Sequence, residues 1–136
     1  MNKPRTGGCL CGAVRYMVAW PPKALVACHC SDCQKQSGSA FSVVGVAARE
    51  DIVVSGDLSK FSHPGSSGQM VSRKFCERCG SPVLTDTPSG EAQGIIFFKA
   101  GTLDMTKDLE PSLHYWTGSK QDWVDLPADA PCLEKQ

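Results

Sequence analysis

Apolar residues along this chain come in short runs that alternate with polar residues and are separated by turns. In residues 13–19, Val14, Tyr16 and Val18 would share one face of a strand, because side chains two positions apart point the same way in extended backbone. Comparable runs, typical of strands, lie at 41–48, 52–54, 69–75, 82–85, 94–100 and 113–116. Glycine and proline mark turns between them, at 21–22, 56–57, 63–68 and 87–90. The pattern predicts a mostly β domain.

One segment carries a helix signal instead. Residues 31–34 read Ser-Asp-Cys-Gln, which matches a capping box with Ser31 as the N-cap and Gln34 three residues later. Gly38 is a typical residue just beyond a helix. We therefore predict one short helix near 31–37. Cys33 would lie in its first turn, where backbone N–H groups favour a thiolate.

Length and charge narrow the class of protein. The 136 residues suffice for one domain, with a core at about 7–126 and a polar, Pro-containing tail at 127–136 that we expect to be mobile. Zero net charge, from 14 basic and 14 acidic residues, argues against a nucleic-acid partner. No apolar run is long enough for a membrane span, and the N-terminus lacks an export signal. We expect a cytoplasmic protein whose cysteines stay reduced, which favours metal binding over disulfides.

Seven of the eight cysteines form three clusters with spacings typical of zinc sites. The clusters are Cys9 and Cys11, then Cys28, Cys30 and Cys33, then Cys76 and Cys79, followed by Gly80. Four thiolates from the first and third clusters would complete a closed tetrahedral site, which is usually structural. The alternative for Cys76 and Cys79 is redox chemistry. We expect the nearby Arg73, Lys74 and Arg78 to offset the negative charge of this four-cysteine site.

The middle cluster has three ligands, one fewer than a closed tetrahedron needs, so three interpretations stay open. The cluster holds a catalytic zinc with an open position, or Cys132, His63 or His114 closes the site, or no metal binds.

Two residues between these cysteines are candidates for other roles. In an extended segment 25–30, His29 would face away from Cys28 and Cys30, so we do not expect it to be a ligand. His29 and Asp32 are the nearest candidates for a general acid. Cys132 lies in the tail and is not expected to bind metal.

Three segments together resemble a known family. They are Gly-Gly-Cys-Leu-Cys-Gly-Ala-Val-Arg-Tyr at 7–16, Cys-His-Cys-Ser-Asp-Cys-Gln at 28–34 and Phe-Cys-Glu-Arg-Cys-Gly-Ser at 75–81. They look like the glutathione-dependent formaldehyde-activating enzyme family, whose pattern centromere protein V-like domains share. With further agreement up to Trp123, the resemblance covers roughly residues 7–123.

The resemblance implies a fold and an activity. The fold would be the β-tent, small antiparallel sheets around a zinc knuckle. The family's structural zinc ligands would match Cys9, Cys11, Cys76 and Cys79, and its catalytic zinc ligands would match Cys28, Cys30 and Cys33. The founding activity joins glutathione to formaldehyde to give S-hydroxymethylglutathione, which is classed as a carbon–sulfur lyase reaction.

These observations lead to one functional hypothesis and one alternative. The hypothesis is a zinc enzyme that acts on glutathione or another small thiol and on an aldehyde such as formaldehyde, forming or cleaving a carbon–sulfur bond. Its partners would be small molecules, and the loop at 63–68 would act as a lid. The alternative is a non-catalytic, zinc-stabilised module that binds a partner protein.

Overall fold

The computed structural model describes residues 3–135, so Met1, Asn2 and Gln136, which the predicted domain includes, lie outside it. Within that range the chain is built mainly of strands, joined by two short α-helices. The strands are β1 Arg5–Gly8, β2 Arg15–Val18, β3 Ala24–Cys28, β4 Ser42–Ala48, β5 Ile52–Ser55, β6 Leu58–Pro64, β7 Met70–Cys76, β8 Pro82–Asp86, β9 Ile95–Lys99, β10 Leu113–Tyr115 and β11 Cys132–Leu133. The helices are α1 Ser31–Ser37 and α2 Pro88–Gln93, with 3₁₀ turns at Arg49–Asp51, Ala100–Thr102 and Thr117–Ser119.

The strands form two sheets. The smaller is antiparallel, in the order β1-β2-β5. The larger has the order β11-β10-β3-β4-β9-β8-β7-β6, and only β10 pairs in parallel, with β3 and with β11. The prediction of a mostly β fold is confirmed.

The predicted strands are found with small shifts at their ends, but four elements were not predicted. β1, β6 and β11 were not expected as strands, and α2 lies where the sequence indicated only a turn at 87–90. Thr87 caps α2 by accepting the N–H of Gly90 at 3.0 Å, and proline occupies the first turn, where its missing N–H costs nothing. The helix predicted near 31–37 is found, and α2 is a second helix that the sequence did not predict, because these residues suit a turn and a helix start alike.

Helix α1 confirms the predicted helix and corrects its cap. Gly38 ends it with φ of 67°. The N-cap is Cys30 rather than Ser31, since its Sγ accepts the N–H of Cys33 at 3.3 Å. Gln34 does not close a capping box. Its amide donates to the carbonyl oxygens of His29, at 2.9 Å, and Ser119, at 3.0 Å, which anchors α1 to the chain on both sides.

One face of the large sheet packs on the core. Phe98 on β9 is fully buried there, against Tyr16 of the small sheet at a ring-centroid distance of 5.9 Å. Gly45 lies directly opposite Phe98, and a Cβ at this position would overlap the Phe98 ring. Glycine is therefore required at position 45 to admit the ring.

The other face of the same sheet is turned away from this core and lines a cleft. Period-2 alternation places Val44, Phe97 and Lys99 on this side, one position away from the core-facing residues of the same strands. Strand β9 thus has one core face and one cleft face.

The described part of the predicted tail, residues 127–135, is held to the sheet through β11. β11 pairs with β10, with Cys132 opposite His114, and His114 N–H donates to the carbonyl oxygen of Pro131 at 3.0 Å. No helix in residues 3–135 has the length and apolar character needed to cross a lipid bilayer.

Candidate metal centres and the cleft

The first and third cysteine clusters come together in space. The sulfurs of Cys9, Cys11, Cys76 and Cys79 all lie within 4.8 Å of one another, with 3.6 Å between Cys9 and Cys11 and 3.7 Å between Cys11 and Cys76. Zinc–sulfur bonds of about 2.3 Å in a tetrahedron put the sulfurs about 3.8 Å apart. The arrangement therefore fits a closed zinc site and is too open for a disulfide.

Neutral donors surround these four sulfurs. Backbone N–H groups of Val14 and Arg78 point at Cys9 and Cys76, at 3.2 and 3.4 Å. Hydrogen bonds from the hydroxyl and backbone of Ser81 lower the pKa of Cys79 to about 5. Such donors stabilise thiolates, which are the form that binds metal.

The local backbone explains why these sulfurs converge. The N–H of Gly80 donates to the carbonyl oxygen of Cys76 at 2.9 Å, and Gly80 has φ of 79°, which glycine adopts without strain. The resulting tight turn at the end of β7 brings Cys79 back beside Cys76.

The middle cluster forms a second group of three sulfurs. Those of Cys28, Cys30 and Cys33 also lie within 4.8 Å of one another, and in residues 3–135 no histidine, carboxylate or fourth cysteine joins them. The end of β3 and the first turn of α1 bring them together. The donor set is made of soft thiolates, which suit zinc.

Electrostatics make Cys33 the most acidic thiol of this group. Hydrogen bonds from the Cys28 and Cys30 thiols lower the pKa of Cys33, and the positive charges of Lys99 and Arg73 lower it further. The same contacts with Cys30 and Cys33 raise the pKa of Cys28. These interactions favour the thiolate form of Cys33, which is the form that binds metal.

The three cysteines lie in the wall of a cleft of about 380 Å³. This volume is within the usual range of small-molecule sites. The cleft face of the large sheet forms its floor, and the turn between β6 and β7, with Gly65, Ser66 and Ser67, forms part of its rim. The turn predicted as a lid is thus beside the cysteines, as a tight hairpin closed by Gly65 N–H donating to Gln69 at 2.8 Å.

Two cations, Arg73 and Lys99, lie on the cleft floor, where the sequence analysis did not predict them. Arg73 is 7% exposed and its Nη1 lies 4.0 Å from Cys33 Sγ, whereas we had assigned it to the four-cysteine site. Alternation along β7 explains the error, since it turns Arg73 to the cleft while Lys74 turns to Asp86, 3.6 Å away. Lys99 is 6% exposed and was not among the predicted site residues. A lysine that directly follows Ile-Ile-Phe-Phe in a strand is unusual and could have indicated a buried charge.

The histidines lie apart from the sulfurs. His29 is fully buried and faces away from its neighbours, as the alternation predicted, with its Nε2 3.2 Å from His114 Nδ1. Burial lowers the pKa of His29. The third histidine, His63, accepts a hydrogen bond from Arg73 Nε at 3.1 Å. None of the three belongs to the sulfur cluster.

Asp32 and Cys132 are the remaining residues that the sequence analysis considered. Asp32 lines the cleft, in the first turn of α1. Cys132 is exposed, and its thiol donates to the carbonyl oxygen of Ala130 at 3.3 Å, outside both groups of sulfurs.

A β domain with two groups of converging thiols and a cleft beside one of them defines a class of small metal-site proteins, and comparison with known proteins gives the family. The family described as "Glutathione-dependent formaldehyde-activating enzyme" matches residues 4–119. The chain belongs to this family.

Individual relatives agree with this assignment. A Halomonas elongata protein named as a predicted glutathione-dependent formaldehyde-activating enzyme is 29% identical over 131 residues, covering 88% of this chain and 79% of that protein. Proteins with the same name from Aspergillus terreus and Colletotrichum graminicola are 41% and 43% identical over 54 residues, 40% of this chain but only 28% of theirs. A crystal structure of a Rhodobacter sphaeroides protein has the same fold, with a TM-score of 0.59 and 21% identity, over 76% of this chain and 91% of that one.

Proposed function

We propose that this protein is a zinc enzyme that joins a small thiol, glutathione in the first instance, to an aldehyde such as formaldehyde, or cleaves the adduct. The observation that carries the proposal is the position of Cys28, Cys30 and Cys33 in the wall of a cleft large enough for a substrate. Family membership supports the choice of thiol and aldehyde. The reaction would make it a carbon–sulfur lyase working in a reducing compartment such as the cytoplasm.

In this proposal the two cysteine groups have different tasks. Cys9, Cys11, Cys76 and Cys79 would hold a structural zinc, and Cys28, Cys30 and Cys33 a second one beside the cleft. Zinc held by three thiolates supplies a Lewis acid that keeps an incoming thiol in its thiolate form at neutral pH.

The chain's own residues supply the rest of the chemistry. The cleft holds thiol and aldehyde together, which removes the entropic cost of their encounter from the chemical step. The thiolate sulfur attacks the aldehyde carbon, and the electron pair of the C=O bond moves onto oxygen, which then takes a proton from water. Asp32 lines the cleft within reach of solvent, whereas His29 is enclosed against His114, so Asp32 is the better candidate for moving that proton.

A binding experiment tests the proposal. Glutathione should bind the zinc-loaded protein and raise its melting temperature, since a ligand of the folded state stabilises it. S-methylglutathione should bind at least about tenfold more weakly, a difference of about 1.4 kcal/mol, because its sulfur cannot become a thiolate. Calorimetry with both compounds gives the comparison.

The outcomes of that experiment separate the hypotheses. Equal affinity for the two compounds would show that the sulfur is not recognised as a thiolate. Binding of neither would favour the alternative, a zinc-stabilised module that binds a partner protein.

A further inference from the structure

Two buried cations face the cleft without a carboxylate partner in residues 3–135. Arg73 and Lys99 are both more than nine-tenths buried, and neither takes part in a salt bridge of that range. Asp32, a carboxylate that also lines the cleft, pairs with neither. Burying a charge is costly unless an anion balances it, and the thiolate of Cys33, 4.0 Å from Arg73, can balance only one of these two cations. The arrangement therefore calls for a further anion nearby.

Sheet register holds the two cations and a hydroxyl on one strip of the cleft floor. Arg73 on β7 is directly opposite Thr85 on β8, and Thr85 is opposite Phe97 on β9. Lys99 is two residues beyond Phe97, on the same face. The Cβ atoms of directly opposed residues in a sheet lie about 5 Å apart. Arg73 and Thr85 can therefore donate hydrogen bonds to the same ligand group.

Thr85 adds independent evidence that something binds here. It is 8% exposed, it lines the cleft, and its Oγ1 has no hydrogen-bond partner in residues 3–135. Most buried hydroxyls in proteins are hydrogen-bonded. The Thr85 hydroxyl lines the same cleft as the two cations, so it can donate a hydrogen bond to an oxygen atom of a bound ligand.

Both cations also keep donors free for a ligand. Arg73 Nε donates to His63, and within residues 3–135 the other contact of the guanidinium is the long one from Nη1 to Cys33 Sγ. Lys99 Nζ donates to Ser42 Oγ at 2.7 Å, which leaves two of its three donors. His63 is a positioning residue here, because its hydrogen bond fixes the plane of the guanidinium.

Charge counting shows why two cations are needed. Three thiolates and one Zn²⁺ sum to −1, and an incoming substrate thiolate makes the group −2, which two cations balance. When that thiolate attacks the aldehyde, the negative charge moves from sulfur to the oxygen one carbon away. Donors fixed close to the sulfur are then placed to receive it.

We propose that Arg73 and Lys99, with Thr85, form an oxyanion site that binds the anionic oxygen of the thiol–aldehyde adduct. The proposal rests on the proposed function and names the residues that recognise the oxygen. The step is balanced. Sulfur gives the electron pair of the new C–S bond, the C=O π pair becomes a lone pair on oxygen, and water supplies one proton in place of the one the thiol lost.

Thiols that carry an oxygen anion near sulfur provide the test, by calorimetry on the zinc-loaded protein. Mercaptoacetate should bind at least tenfold more tightly than 2-mercaptoethanol, which is neutral, and than 4-mercaptobutyrate, whose carboxylate lies farther away. Equal affinities for mercaptoacetate and 2-mercaptoethanol would overturn the proposal. Tighter binding of 4-mercaptobutyrate would also overturn it, because the cations would then hold a remote carboxylate.

Variants show whether the protein or the metal alone causes that preference. In Arg73→Gln and Lys99→Met the preference for mercaptoacetate should fall to below about threefold, and Arg73→Lys should restore part of it. Lys60→Gln, an exposed cation on neighbouring β6, is the matched control and should keep the full preference. If Arg73→Gln and Lys99→Met both kept the full preference for mercaptoacetate, its carboxylate would be held by the metal rather than by these cations, and the proposal would be overturned.

A less disruptive variant, Thr85→Val, and a ligand without a thiol, formate, provide two further tests of the oxyanion site. Thr85→Val has nearly the same shape and removes a hydroxyl that has no partner, so it should fold normally yet lose part of the preference. Should no thiol bind, the proposed function fails, and formate then tests the cations alone. Thermal stabilisation by formate that is lost in Arg73→Gln supports the anion site, and its absence in the unaltered protein overturns it.

Discussion

In both cysteine groups the sulfurs lie within 4.8 Å of one another, but the surroundings of the two groups differ. The four-cysteine group joins residues 9–11 to residues 76–79 and is surrounded by neutral N–H and hydroxyl donors. The three-cysteine group spans six residues, faces a cleft and lies beside two buried cations. The chemistry open to a cysteine group therefore depends on the neighbouring charges and on an adjacent cleft as well as on the number of its ligands.

The largest effect should come from breaking the four-cysteine group. Cys76→Ser is expected to leave the protein insoluble or unfolded. Zinc sites of this type contribute about 10–16 kcal/mol in peptides, as much as the whole stability of a typical domain. Solubility, circular dichroism and zinc content of the purified variant are the measurements. A soluble Cys76→Ser protein with an unchanged melting temperature would contradict a structural role.

The same change in the three-cysteine group should have a smaller and different effect. Cys30→Ser should remove the second zinc and leave the fold intact, because ligands within a segment of six residues constrain little chain. Serine can still accept the Cys33 N–H, so the cap of α1 survives. Metal analysis and thermal melting test this. Two full zinc equivalents, or global unfolding, would show that the two groups do not differ as proposed.

A second substitution at the same position separates the two roles of Cys30. Cys30→Ala removes the metal ligand and the cap together, and losing a cap costs about 1 kcal/mol. Its stability to urea should fall below that of Cys30→Ser by this amount, with the same zinc content. Equal stabilities would show that the sulfur does not cap the helix.

The smallest effect is expected at Cys132, which belongs to neither group. Cys132→Ser should leave zinc stoichiometry and melting temperature unchanged. Truncation before Pro131 should lower the melting temperature modestly, since β11 pairs with β10, and should still leave zinc content unchanged. Loss of one zinc from either variant would mean that Cys132 closes the three-cysteine site.

The sequence by itself determined the features that depend on local spacing. The alternation of Val14, Tyr16 and Val18, the turn at Gly80 and the end of α1 at Gly38 are all short-range matters of backbone geometry, and all are found. The pairing of the first cysteine cluster with the third was also predicted, because a tetrahedral ion needs four ligands. The assignment of Cys28, Cys30 and Cys33 to a separate group followed in the same way.

Only the tertiary structure decided which residues face the cleft. Arg73, Thr85 and Lys99 come from three strands, and their meeting depends on sheet register, which no local pattern specifies. Arg73 is near Cys76 in sequence, yet alternation along β7 turns its side chain to Cys33, which belongs to the other cysteine group. The second helix and the docked tail were missed for a related reason. Thr87-Pro88 suits a turn or a helix start equally well, and a two-residue strand gains its stability from the neighbouring strand rather than from its own sequence.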